Sequence, residues 1–176
     1  ALHDIGKISI PSEILNKPGR LTKEEFDTMK THTTVGAKML DNLAFHQDEP
    51  LVKDAHAICR WHHERYDGRG YPDGLKGDDI PISAQVVALA DVYDALTSKR
   101  VYKPPFTHEK AVEMIVNGEC GTFNPLLLSC LEDISGDIAR EMEPKEFEGP
   151  SQAELSDMIQ NLAQHKELSA SNRTLQ

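Results

Sequence analysis

The chain has 176 residues, 39% of them hydrophobic, which is room and material for one domain with an ordinary core. A net charge of −10 argues against docking on a nucleic-acid polymer, where clustered Lys and Arg would be expected, but leaves a small phosphorylated ligand open. No run is long and apolar enough for a membrane span, and three cysteines without a CxxC pair (Cys59, Cys120, Cys130) suit a reduced, cytoplasmic setting better than a disulfide framework.

The pattern is helical nearly throughout, and no alternating strand pattern of useful length occurs, so the expected fold class is all-α. Residues 1–5 read as the end of a helix stopped by Gly6. Because the chain opens on Ala1 and its densest chemistry starts at His3, one or more preceding helices are expected to be missing. Pro11 is placed to open a short helix to about Asn16, before the Pro18-Gly19 turn. Thr22 with Glu25 forms a capping-box pattern ahead of a helix of about ten residues, and a second helix is expected over about 34–43. Leu51, Ala55, Ile58, Cys59 and His62 recur at three- and four-residue steps, one buried helical face.

Residues 65–81 hold four glycines and two prolines, a long irregular loop of the kind that often carries function. Ser83 is the expected cap of the next helix, whose inner face reads Val87, Ala88, Asp91, Ala95. Thr107 begins a helix ending at Gly118, and Asn124-Pro125 opens another to about Glu143. The expected division is a domain over 1–143 and a helical or linker tail over 144–176, partly disordered, with a weak apolar stripe at Leu155, Ile159 and Leu162 suited to docking or linking.

The residues with chemistry start at His3-Asp4, with Lys7 one turn on. An imidazole beside a carboxylate can serve two neighbouring metals, the carboxylate bridging them. By itself an HD dipeptide reads more simply as an acidic residue near a helix end. His62 continues an apolar stripe and Asp91 falls among Val87, Ala88 and Ala95, so each needs a partner if buried. Metal ligation would satisfy both, and so would a hydrogen bond between them. His46, His108 and His165 lie in polar surroundings and are expected at the surface. His56 is two turns before His63, about 10 Å by helical rise, too far to share a metal. Cys59 reads as a small buried core residue.

The stretch from His62-His63-Glu64 through Tyr66-Asp67-Gly68 and Gly70-Tyr71-Pro72 to Gly74-Leu75 resembles the HD-GYP domains. Other matches are His3-Asp4-Ile5-Gly6-Lys7, Lys30-Thr31-His32 with Gly36, Ala90-Asp91-Val92-Tyr93-Asp94-Ala95-Leu96-Thr97-Ser98, Arg100-Val101-Tyr102-Lys103 and Gly121-Thr122-Phe123-Asn124-Pro125. They cover about residues 1–140 in family order. The resemblance implies an HD-domain helical bundle with a GYP loop, acting as a phosphodiesterase that hydrolyses cyclic di-GMP to pGpG or GMP in bacterial signalling. It implies His3, Asp4, His32, His62, His63 and Asp91 as ligands of two or three divalent transition-metal ions. Lys7 would contact the scissile phosphate, beside Asp4 as the other catalytic residue. Tyr71, Arg100 and Lys103 would bind the dinucleotide.

Mixed imidazole and carboxylate donors suit Fe, Mn, Ni or Zn alike. Implied partners are the cyclic dinucleotide, an upstream receiver or sensor domain, and a second copy in a homodimer. Members of this family carry a Glu and a His on a helix before the HD pair. Both would precede Ala1, so this chain is expected to hold one ion poorly and to be weakly active or inactive alone. Asn124 stands where Asp is common, and either residue caps a helix. Two other readings stay open: a non-catalytic nucleotide-binding or interaction module, and an HD phosphohydrolase of other nucleotides.

Overall fold

The structure is a computed structural model and describes residues 2–42, 48–99 and 104–142. In chain order the elements are a 3₁₀ helix η1 (Leu2–Ser9), α1 (Ser12–Leu15), α2 (Lys23–Asp41), α3 (Pro50–Trp61), a 3₁₀ turn η2 (Gly77–Asp79), α4 (Ile82–Thr97), α5 (His108–Val116) and α6 (Pro125–Met142). Among the described residues there is no strand, and no helix is long and apolar enough to cross a membrane. Residues 1–139 make one compact unit. The remainder, from Arg140, is grouped apart and is described only to Met142. The expected boundary after residue 143 and the 144–176 tail lie outside the described residues.

Within residues 1–139, η1 rests on α2 and α3, α2 packs along α3, and α3 hands on to α4 and then α5. Two apolar clusters hold this arrangement. Leu40, Ala55 and Cys59 join α2 to α3. Ala88, Ile115, Phe123 and Leu131 join α4, α5 and α6, with Leu89, Val92 and Leu96 packed around them. A side chain enclosed like Ile115, at 0% exposure, contributes about 1.5–3 kcal/mol. A polar seam crosses the second cluster: the Tyr93 hydroxyl lies 2.7 Å from His108 Nδ1, and His108 Nε2 lies 2.8 Å from Ser135 Oγ. His108 is therefore a half-buried link between three helices, not the surface residue expected. The other two histidines placed at the surface, His46 and His165, lie outside the described residues.

Local signals set several boundaries. Thr22 and Glu25 complete a reciprocal capping box at the start of α2. Thr107 accepts from Lys110 N, and Asn124 Oδ1 accepts from Leu126 N. Three expectations need correction. The two helices expected over residues 22–43 are one, because the run of threonines that weakens the pattern is accommodated. Thr31, Thr33 and Thr34 each turn the hydroxyl back to donate to a carbonyl three residues earlier, at 2.7, 2.9 and 3.0 Å. Ser83 lies inside α4, whose cap position is Pro81 without a side-chain bond. Leu51 is 80% exposed, so the buried face of α3 starts at Ala55.

Gly6 is the larger surprise. It does not stop η1 but sits inside it, buried, with no positive φ. A Cβ there would overlap the His32 carbonyl oxygen and reach within 2.6 Å of Gly36 N. Glycine is required by a backbone-to-backbone crossing of η1 over α2, and that crossing brings the His3-Asp4 pair to the middle of α2.

Candidate metal centre

Four elements deliver imidazoles or carboxylates to one place. η1 brings His3, Asp4 and Lys7, α2 brings His32, the end of α3 brings His62 and His63, and α4 brings Asp91. Neighbouring residues inside a continuous helix point about 100° apart. Here α3 ends at Trp61 and His62 is its C-cap, so His62 and His63 are free of that rule. Their ring centroids lie 4.1 Å apart, and those of His32 and His63 5.2 Å apart.

The hydrogen bonds fix what the imidazoles can offer. His62 Nδ1 lies 2.9 Å from the Ile58 carbonyl and His32 Nδ1 lies 2.7 Å from the Met29 carbonyl. A carbonyl only accepts, so in each neutral ring Nδ1 carries the proton and Nε2 presents a lone pair. Those two Nε2 atoms face each other at 3.4 Å, and neither has a proton to share. Asp4 Oδ1 lies 3.6 Å from that of His32 and 4.0 Å from that of His62, and among the described residues it is buried with no hydrogen-bond partner of its own. Three electron-pair donors thus converge on one point with no donor hydrogen among them, an arrangement that a cation resolves.

The other carboxylate oxygen, Oδ2, accepts from Lys7 Nζ at 2.7 Å and lies 3.4 Å from His3 Nε2. Two overlapping groups result, His32-His62-His63 and His3-Asp4-His62, each with ligand atoms within 4.8 Å of one another. Asp91 Oδ1 stands 3.9 Å from His3 Nε2, at the rim and a third exposed, less enclosed than its apolar neighbours in sequence implied. The alternative of a His62–Asp91 hydrogen bond is not what forms, since His62 donates to backbone.

Burial drives the electrostatics. It pushes His62 down to about 4 and, with the neighbouring His62 and His32, His63 down to about 2. Burial also lowers His32. For Asp4 burial acts upward, but the Lys7 hydrogen bond and charge, with His3 and His32, outweigh it and hold the carboxyl below its ordinary value. The site therefore keeps His32, His62 and His63 neutral and the Asp4 carboxylate charged, the protonation states that ligation needs.

A pH dependence follows. His62 and His63 titrate near 6.5 when unfolded and far lower when folded, so acid is bound by the unfolded chain first. Their contribution to stability is complete above pH 6.5 and is lost as pH falls toward about 4. With two such groups, the metal-free protein is expected to lose up to about 2–3 kcal/mol per pH unit across that window. Denaturant midpoints measured between pH 7.5 and 4.5 check this, and a His63→Gln variant should give a flatter profile.

Tyr71 lies over this cluster, its ring stacked on His63 at 4.7 Å and 26°. Phe26 meets its edge at 6.1 Å, and Lys30 Nζ sits 5.9 Å from its centroid. Burial raises the Tyr71 phenol, so it stays a neutral donor. Phe26 and Lys30 were not picked out from sequence beyond the Lys30-Thr31-His32 match. Cys59, fully buried, donates to the Leu2 carbonyl at 3.3 Å, burial raises its thiol, and it is in neither candidate ligand group. His56 pairs with Asp41 at 3.2 Å, apart from the cluster as expected. Arg100 and Lys103 lie outside the described residues.

A helical unit that gathers histidines and an HD dipeptide around a divalent-cation site defines an HD-type metalloprotein. The model of the HD domain family matches residues 1–125, and the chain belongs to that family. Over 150 residues it is 46% identical to a probable cyclic di-GMP phosphodiesterase of Vibrio cholerae, covering 82% of this chain and 34% of that protein. Over 137 residues it is 44% identical to a cyclic di-GMP phosphodiesterase of Thermotoga maritima, covering 78% and 36%. A 3′3′-cGAMP-specific phosphodiesterase 2 of Vibrio cholerae is 43% identical over 130 residues, covering 74% and 24%. The chain spans about a third or less of the length of these curated relatives.

Proposed function

We propose that this chain is the metal-holding part of a phosphodiesterase that hydrolyses cyclic di-GMP to pGpG, GMP or both. The observation that carries this reading is Asp4. Its two oxygens address different partners, Oδ1 facing His32 and His62 and Oδ2 facing His3 and Lys7. Asp4 would be shared by the ions, which His3 and Asp91 on one hand and His32 and His63 on the other would help to hold, with His62 common to both groups. Imidazole and carboxylate donors accept Fe, Mn, Ni or Zn, as two or three ions. Bound there, divalent ions supply Lewis acidity and a water acidic enough to react with phosphorus near neutral pH.

The chain's own residues do the rest. Lys7, a third exposed beside Asp4, places an ammonium where charge grows on a phosphoryl oxygen. Tyr71 offers a flat face and a neutral hydroxyl next to the ligands. In this reading Arg100 and Lys103 hold the dinucleotide's phosphates and bases, as cations suited to that chemistry. A receiver or sensor domain elsewhere in a longer, dimeric protein would control turnover.

The test is to load the full-length protein with each candidate metal, add cyclic di-GMP, and identify products by chromatography. Linear pGpG or GMP is expected, and an Asp4→Ala control should make neither. Bound metal without any product would leave a nucleotide-binding module instead. Parallel incubation with 3′3′-cGAMP addresses the second specificity among the relatives, because the similarity to the two groups is comparable.

A further inference from the structure

We infer that Glu64 is a positioning residue whose buried carboxylate clamps residues 71–74 onto the end of α3 and so seats Tyr71 on His63. The inference rests on the proposed function in one respect only, the catalytic value of that seating. Glu64 is 2% exposed. One of its oxygens, Oε1, accepts from Asp73 N at 2.8 Å and from Gly74 N at 3.0 Å, while Oε2 is buried with no hydrogen-bond partner. Burying a carboxylate is costly, and among the described residues its hydrogen-bond returns are two backbone N–H groups of a loop nine and ten residues on.

The same loop is held from its outer side. Asp73 accepts from Arg60 at 2.8 and 2.9 Å and from Trp61 Nε1 at 2.7 Å. Gly70 lies flat against the chain at Glu64, where a Cβ would overlap the Glu64 backbone. Gly74 adopts φ +68°, a conformation that points its N–H at Glu64 and that other residues rarely take. Between these anchors Tyr71 N donates to the His63 carbonyl at 3.3 Å, and the Tyr71 ring stacks on the His63 ring. Among the described residues Glu64 is in neither candidate ligand group, and its side-chain bonds go to loop amides. It acts through Tyr71.

Two substitutions separate reach from charge. Glu64→Gln keeps an oxygen at Oε1 and loses the charge. Glu64→Asp keeps the charge and retracts the carboxylate by one methylene. The chain's single tryptophan, Trp61, is bonded to Asp73 and reports the loop directly. Arg69, whose side chain is 85% exposed, offers trypsin a site within it.

Expected for E64D is a red-shifted Trp61 emission and cleavage after Arg69, located by mass spectrometry, that is faster by about tenfold, with helical circular dichroism retained. E64Q should match the unsubstituted chain in both. In the metal-loaded protein, E64D should raise KM for cyclic di-GMP about tenfold with kcat within about twofold. The clamp is overturned if E64D leaves Trp61 and Arg69 unchanged, or if E64Q behaves like E64D. Its role in positioning is overturned if the loop opens and KM does not move. Absence of turnover in every form counts against the proposed function alone, because the fluorescence and proteolysis readouts need no substrate.

Discussion

Asp4→Asn is expected to abolish metal retention and cut turnover on the order of a thousandfold, while leaving the metal-free fold as stable as before or up to about 1 kcal/mol more so. The two effects have one cause. In the metal-free site Asp4 Oδ1 is buried opposite two imidazole lone pairs, with nothing to donate to any of the three. An amide can keep its oxygen on Lys7 Nζ and turn its N–H₂ toward His32 or His62 Nε2, supplying the donor that is missing. What it cannot do is offer a cation two anionic oxygens. Some of the gain is offset by the weaker bond from Lys7, which is modest because that group is more than a third exposed. Thermal melts with and without added metal check both halves. At a metal concentration of about 100 Kd the parent protein should gain roughly 2.7 kcal/mol, and the substituted protein nothing. A metal-dependent gain that survived Asp4→Asn would remove Asp4 from the ligand set.

The parts of the fold that could be read from sequence are those decided within a few residues. The capping box at Thr22 and Glu25, the Thr107 cap and the Asn124-Pro125 start all depend on one side chain reaching one nearby N–H, and all form. The break expected near Thr34 does not form, and the hydroxyls of Thr31, Thr33 and Thr34 bond back along one continuous helix, which only the folded chain shows. For the site, the residue types of the HD pair, His32 and the vicinal histidines were readable, and the structure brings all of them together. Their approach was not readable, since it depends on contacts between elements far apart in sequence. Periodicity placed His62 on the inner face of α3 but could not say that the helix ends there and frees His63 to join it. Glu64 was visible within the HHE triplet, yet its meaning lies in loop amides that only the folded chain brings back to it.

Gly6→Ala is expected to be among the most damaging changes in the molecule, at least about 3 kcal/mol, although it removes no interaction and alters no charge. A glycine followed by a break in pattern suggests a helix cap, and a cap glycine substituted by alanine would cost about 1 kcal/mol. The structure gives a different reason for the residue and a larger penalty. The added methyl meets the His32 carbonyl carbon at 2.9 Å and Gly36 N at 2.6 Å, backbone atoms with no rotamer to retreat into. Relief requires η1 to lift from α2, and η1 carries His3 and Asp4. A displacement of about 1 Å in a site of this kind typically costs a hundredfold, so metal affinity should collapse along with stability. Gly36→Ala is the calibrating experiment. Its Cβ would meet Gly6 N at 3.3 Å, Ile5 Cγ2 at 3.4 Å and Cys59 Cβ at 3.6 Å, contacts that are tight but can yield by a few tenths of an ångström. Urea midpoints and metal titrations of both variants should therefore rank Gly6→Ala well below Gly36→Ala. Equal effects would mean that η1 and α2 are not locked through this crossing, and the convergence of Asp4 on His32 and His62 would need another origin.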